Sequence, residues 1–301
     1  DAVKAAVKGL ETYMASHPPR EQTGSRVAVV GGGPGGIAAA SLLARGGARV
    51  TLFEQNDALG GLVHSVIPSF RIPDSDIQRD ILMLGTTGVD VRLNTRIESP
   101  EELAGFDRVV VALGANLHST LPLVEGVSLN AIEFLKTYKK DPGAMEARGH
   151  VVVVGGGNTA VDAARAAVRL PGMKSVRIVY RRTAGQMPED GVELEEALKE
   201  GVLFSTLCLP VKLSGERLLC TVMQLGEVGP DGRRNCVPTE ERVEFPCDFL
   251  IAAIGERPDP EAIRRFGPDA ILVGDVRRGP ATVVEAIADA VHARDLILGK
   301  P

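Results

Sequence analysis

The sequence predicts an α/β protein built from two doubly wound domains with parallel sheets. Three observations predict it. The apolar strand, glycine turn and alanine-rich helix of residues 26–40 recur at residues 150–164, with Gly31 matched to Gly155 and Ala40 to Ala164 at a common offset of 124. A second pair of apolar stretches, 107–114 and 248–255, repeats at an offset of 141, so the second copy holds 17 extra residues. A last strand, 270–275, leads into a helix of about 281–298. Two successive βαβ units of one plan are what doubly wound sheets require.

The elements follow in order. Val3, Val7, Leu10 and Met14 have helical spacing, and a polar, proline-containing linker runs from Ser16 to Ser25. Residues 26–30 are an apolar β-branched strand, and the helix after the glycines stops at Gly46-Gly47. The strand Arg49–Phe53 then ends at Glu54. In the second copy the strand 150–154 meets Gly155-Gly156-Gly157, the helix stops at Pro171-Gly172, and the strand 176–180 ends at Arg181-Arg182.

Composition narrows the function classes. At roughly 150 residues per domain, 301 residues allow two domains with real cores. Lys plus Arg is 34 against 39 for Asp plus Glu, a net charge of −5, which argues against nucleic acid or an anionic membrane as partner. With no Trp and 4% aromatics there is no stacking platform for single strands. The cysteines, Cys208, Cys220, Cys236 and Cys247, have no metal-type spacing. They read as reduced, buried thiols of a cytoplasmic protein. No apolar run approaches the ~18 residues of a membrane span. The opening Asp in place of Met reads as a processed or cut chain.

The chemistry is concentrated in the turns. In Gly31-x-Gly33-x-x-Gly36 the first glycine permits the tight turn, the second lets a pyrophosphate approach the backbone, and the third lets the helix lie close to the strand. The helix N-terminus offers N–H groups and a positive dipole end to phosphates. Glu54, eighteen residues after Gly36, suits a ribose with both hydroxyls free. In the second copy, Gly155-x-Gly157-x-x-Ala160, the corresponding strand ends in arginines, and Arg181 and Arg182 suit a 2′-phosphate. The second site therefore reads as one for NADP, the first as one for a nucleotide without the extra phosphate. The alternative for the arginines is solvated surface charge. Gly274-Asp275 ends a late strand before a helix, where a carboxylate can hold a polyol hydroxyl, though a plain turn with an Asp explains it as well.

Together, Gly31 to Glu54, Gly155 to Arg182, the strands ending at Gly114 and Gly255, and Gly274-Asp275 resemble the two-dinucleotide-binding-domain flavoproteins of the glutathione-reductase type. Gly60-Gly61-Leu62 with the stretch Ile67–Pro73, the run 155–162, and Tyr180–Thr183 with Met187-Pro188 resemble the glutamate synthase small-subunit group of that family. The resemblance covers nearly the whole chain. It implies two Rossmann-like domains, with an NADPH domain (121–255) inserted into a split FAD domain (25–120 and 256–301), after an N-terminal helix and linker (1–24). It implies FAD contacts at Gly31, Gly33, Gly35, Gly36, Glu54, Gln55, Gly61, Leu62, Arg71, Ile97, Gly114, Gly274, Asp275 and the backbone of Thr282 and Val283. Ile97, through its backbone only, serves equally well as a core residue. It implies NADPH contacts at Gly155, Gly157, Asn158, Thr159, Ala160, Arg181, Arg182 and Gly255. The implied activity is hydride uptake from NADPH and delivery of electrons to an iron–sulfur partner domain or subunit, and a place as a subunit of a larger complex is implied with it. The chain departs from the group in having no cysteine before Cys208 and a short run from Arg264 to Ile271.

No redox cysteine pair exists, so disulfide reduction is not expected. No catalytic acid or base is called for, and none is named. Of the histidines only His64 falls in a presumed flavin stretch. The acidic run Glu189, Asp190, Glu193, Glu195, Glu196 and Glu200 reads as a solvated helix face and not a metal site. A non-catalytic FAD-holding electron relay and a flavin monooxygenase are the rival functions.

Overall fold

The computed structural model describes residues 24–84, 87–145, 147–187, 191–229 and 234–299. The helix marked by Val3 to Met14, together with Pro188, Glu189 and Asp190, lies outside the described residues. The chain forms two compact units. Among the described residues, one takes in 24–64, Asp74–Leu117 and 256–299; the other takes in Ser65–Pro73 and His118–Gly255.

From the N-terminal side the elements are β1 (Arg26–Val30), α1 (Pro34–Arg45), β2 (Arg49–Phe53), α2 (Gly61–Ser65), α3 (Asp74–Leu84), β3 (Asp90–Arg92), β4 (Arg108–Val111) and β5 (Leu117–His118). There follow β6 (Leu129–Asn130), α4 (Ala131–Lys140), β7 (Gly149–Val154), α5 (Asn158–Val168), β8 (Met173–Val179), α6 (Gly191–Lys199) and β9 (Leu203–Ser205). The remainder are β10 (Cys208–Ser214), β11 (Arg217–Val228), β12 (Arg234–Pro246), β13 (Phe249–Ala252), β14 (Glu256–Arg257), α7 (Pro260–Arg265), β15 (Ile271–Leu272), α8 (Asp275–Arg278) and α9 (Val283–Leu298).

The internal repeat is a repeat of topology. The first unit's sheet has the order β15-β4-β1-β2-β3 and the second unit's the order β6-β13-β7-β8-β9, with every pairing parallel. β1, β2, β3 and β4 thus match β7, β8, β9 and β13. The outer strand comes last in the first unit and first in the second. Each central strand is buried on both faces, as a helix-covered parallel strand must be: Val27–Val30 and Val151–Val154 are all buried. α1 and α5 lie close because they are made of small residues. Ala39 and Ala40 in α1, and Ala160, Ala163, Ala164, Ala166 and Ala167 in α5, are fully buried.

Between β9 and β13 the second copy carries an antiparallel sheet, β10-β11-β12. Its inner face packs Cys208, Leu218 and Cys220 with Cys247, Val152, Val154, Val179 and Leu250. Burial pushes the Cys220 thiol up to about 12 and Cys247 to about 11, and raises Cys208 as well. These three are packing residues, as expected of them; Cys236 is half-buried.

Residues 65–73 belong to the second unit, whereas the sequence places them within 25–120. Contacts along the segment hold them there. Val66 joins the second unit's core. The Lys139 ammonium donates to the Ile67 carbonyl at 2.6 Å. The Phe70 ring lies under the guanidinium groups of Arg165 and Arg169, at 4.9 and 4.0 Å.

The acidic run is not a uniformly solvated face. α6 packs on α5, which turns Glu193 and the adjoining Glu200 toward basic residues: Arg165 meets Glu193 at 2.6 Å and Glu200 at 2.7 Å, and Arg169 meets Glu200 at 2.6 Å. Glu196 keeps the expected surface role, pairing with Lys199. Hydrogen bonds from Arg169 and Arg165 hold the Glu200 carboxyl down to about 2. A depressed carboxylate stabilises the fold above its unfolded pKa and loses that contribution as pH falls toward its folded one.

Two stability outcomes are expected. A β-carbon on Gly36 would overlap the Gly31 carbonyl oxygen, so Gly36→Ala lowers the unfolding free energy by about 3 kcal/mol in urea titrations, the upper end of overpacking costs. Glu200→Gln is less stable than the parent at neutral pH, and the gap in urea midpoints closes as the pH is lowered toward the folded pKa of Glu200.

Candidate functional site

Gly31 leaves β1 at φ +109° and donates its N–H to the Phe53 carbonyl at 2.8 Å. A β-carbon there would overlap the Ala112 carbonyl beyond β4, so this glycine is demanded by the fold. Gly36 is demanded likewise, and a β-carbon on Gly35 would press on Val273 at 3.1 Å. Gly33 is different. It caps the N-terminus of α1 with ordinary extended backbone, no side chain caps the helix, and a β-carbon there would meet nothing within 4 Å. Packing gives no reason for a glycine at 33; an open cradle at a helix N-terminus does.

The following glycines close on that cradle. Gly60 donates to the Gly32 carbonyl at 2.8 Å, and a β-carbon on Gly61 would lie 2.9 Å from the Gly33 Cα. Leu62 is 38% exposed beside them. Glu54 is buried, with Oε2 accepting from the Gly32 N–H at 2.7 Å and Oε1 from the Asn56 backbone and side chain at 2.8 and 2.6 Å. Oε2, with a single bond, retains acceptor capacity for a hydroxyl. Asn56 escaped the sequence reading, although an Asn two residues after a strand-end Glu is a visible signal. Gln55 is exposed. Ile97 is half-buried against the cluster of Val30, Phe53 and Leu103. Gly114, at φ +75°, follows β4. The Nδ1 of His64 is buried without a hydrogen-bond partner among the described residues.

The late turn of the first unit is braced from behind. Gly274, at φ +76°, donates its N–H to Asp289 at 3.2 Å, and Arg277 (2.6 Å) and Arg278 also reach that carboxylate. Asp289 is buried on α9 and had no role in the sequence reading. Asp275 accepts the Ala281 N–H at 3.1 Å, and burial pushes its carboxyl up. Thr282 caps α9 in a reciprocal pair with Glu285, so its backbone N–H is engaged by that carboxylate at 2.9 Å. Val283 is the exposed first residue of the helix.

The second unit repeats the design. Gly155, at φ +153°, donates to the Val179 carbonyl at 3.1 Å and has no room for a β-carbon beside the Ala253 carbonyl. Gly156 lies against the Tyr180 ring. Gly157, like Gly33, caps its helix with open space where a β-carbon would be, and Gly255, at φ +98°, is open as well. Asn158, Thr159 and Ala160 form the first turn of α5, with Ala160 fully buried in the place of Gly36. Arg181 is exposed and Arg182 half-buried, and neither forms an ion pair with a described residue. Thr183 and Gln186 cap the 3-10 turn that follows.

Arg71 is placed in this unit, not the first. One of its terminal nitrogens bonds both oxygens of Asp162 at 2.9 Å, and the other meets the Asn158 side-chain oxygen at 3.3 Å. Asp162 is only 4% exposed. Burial pushes its carboxyl up to about 6 against the opposing pull of Arg71.

Comparison with known proteins agrees with this geometry. A family model described as pyridine nucleotide-disulphide oxidoreductase matches residues 25–271. The chain belongs to that family. It is 40% identical to YgfK of Escherichia coli K12, a protein with a provisional oxidoreductase name, over 98% of this chain but only 31% of that protein. It is 29% identical to the glutamate synthase [NADPH] small chain of the same organism, over 92% of this chain and 69% of that one. The structure of Mycobacterium tuberculosis FprA in complex with NADPH superposes with a TM-score of 0.78 at 22% identity, covering 91% of this chain and 84% of FprA, which shows the shared fold. The expected family, the doubly wound fold and an oxidoreductase using FAD and NADPH agree with membership. No helix among the described residues is long and apolar enough to cross a membrane, and no group of potential ligands among them gathers to hold a metal ion.

The open glycines separate folding from ligand binding. Gly33→Ala is expected to leave the Tm of the flavin-free protein unchanged while weakening FAD retention by ~10-fold or more, read from flavin absorbance per chain. Unchanged flavin content would show that the cradle at Gly33 faces something else.

Proposed function

We propose that this chain is an FAD-dependent oxidoreductase that takes hydride from NADPH and passes electrons to an iron–sulfur partner domain or subunit. The observation that carries it is the contrast between two turns of one plan. A buried carboxylate, Glu54, stands at the first, and two guanidinium groups with no ion-pair partner among the described residues, Arg181 and Arg182, stand at the second. The first unit, with its open Gly33 cradle, is assigned to FAD and the second to NADPH. Glu54 would accept the ribose hydroxyls, the N-terminus of α1 would face the pyrophosphate, and Asp275 would hold a polyol hydroxyl. Gly157 and the first turn of α5 would receive the NADPH pyrophosphate, with Arg181 and Arg182 on its 2′-phosphate.

Bound FAD supplies the exchange between two-electron and one-electron transfer; the protein supplies position and electrostatics. No acid–base side chain is needed. Disulfide chemistry, which the family name mentions, has no thiol pair to carry it, since Cys208, Cys220 and Cys247 are packed in the second unit's core. The small-chain name of the glutamate synthase relative supports a place as one subunit of a larger complex. The reduced thiols support a cytoplasmic setting.

Anaerobic NADPH is expected to bleach the flavin of the loaded protein rapidly; an unchanged spectrum would leave only a flavin-holding relay. Arg181→Ala with Arg182→Ala is expected to raise KM for NADPH ~10-fold or more with little effect on NADH, as loss of a charge-assisted pair costs ~1.5–3 kcal/mol. Equal effects on both nucleotides would remove the 2′-phosphate assignment.

A further inference from the structure

The resemblance gives Arg71 to the flavin, but its guanidinium is engaged on the helix that opens the other nucleotide turn. It bonds both Asp162 oxygens at 2.9 Å and Asn158 Oδ1 at 3.3 Å, with Glu193 at 3.6 Å from its Nε. Asn158 and Asp162 are four residues apart on α5, one turn from each other on one face. A guanidinium only donates, so Asn158 turns its oxygen to Arg71 and its NH₂ group away from it. Asn158 directly follows Gly157, whose missing β-carbon leaves open space.

We propose that Arg71 and Asp162 are positioning residues for the NADPH turn, holding the Asn158 side chain and the first turn of α5 in the orientation that receives the dinucleotide. This rests on the assignment of NADPH to the second unit. The pair is built for rigidity. A buried carboxylate needs its cation, and Asp162 also sits in the field of Glu193 and Arg165. Lys139 and the Phe70 stack hold the segment that carries Arg71 against the same unit. Arg71 is thus delivered to Asn158 from a loop anchored at several points.

The test uses the FAD-loaded protein and flavin reduction over a range of NADPH concentrations, in Asp162→Asn, Arg71→Gln, Arg71→Lys and the double variant Arg71→Gln/Asp162→Asn. Expected is a ~10-fold rise in the apparent Kd for NADPH in Asp162→Asn and Arg71→Gln, with a smaller fall in the limiting rate. The double variant should be no weaker than the poorer single, because the two act as a unit. Arg71→Lys should recover part of the affinity, and FAD per chain should hold. Unchanged NADPH affinity in Asp162→Asn or Arg71→Lys overturns the proposal even if Arg71→Gln fails to fold. Loss of FAD from Arg71→Gln at unchanged NADPH affinity also overturns it and returns Arg71 to the flavin. Failure of NADPH to reduce the flavin of the unsubstituted protein would instead remove the assignment of function itself.

Discussion

A carbonyl oxygen of the neighbouring strand's end sits where residue 31, and again residue 155, would carry a β-carbon: Ala112 in the first unit and Ala253 in the second. This close approach is the constraint on which the rest depends. It lets β1 and β4, or β7 and β13, run side by side to their ends while the chain turns out between them into a helix. The turn then lies at the point where the strand order reverses, with a helix N-terminus aimed over the edge of the sheet. Any side chain at 31 or 155 would push the strands apart and close the same opening.

Around this constraint the glycines fall into two kinds. Gly31, Gly36, Gly155 and Gly156 are required because backbone or ring atoms occupy the space of a side chain. Gly33, Gly157 and Gly255 have empty space there. A glycine has a cost in chain entropy, and where no neighbour requires it, the open space beside it is the feature to be explained. Both helix-capping glycines, 33 and 157, are of this second kind, one in each unit.

The second unit adds an electrostatic frame. α5 carries Asn158, Asp162, Arg165 and, at its end, Arg169; each meets a partner from Arg71, Glu193, Glu200 or the Phe70 ring. Arginine suits this use because its planar fork bonds a carboxylate and stacks on an aromatic face at once. Arg181 and Arg182 stand apart from the frame: neither pairs with a carboxylate among the described residues.

Much of this was legible in the chain itself. The two strand–glycine–helix units, Glu54 against Arg181-Arg182, and the buried cysteines follow from local patterns, because turn geometry and strand burial are specified by neighbours in sequence. What only the tertiary structure decided are the long-range pairings: Asp289 behind Gly274, α6 turning Glu193 and Glu200 toward α5, and Arg71 crossing 91 positions to Asp162. Segment 65–73 shows the reason. Its residues carry no periodicity that names a partner, and its place was set by where Arg165, Arg169, Lys139 and Asp162 come together once the helices have packed.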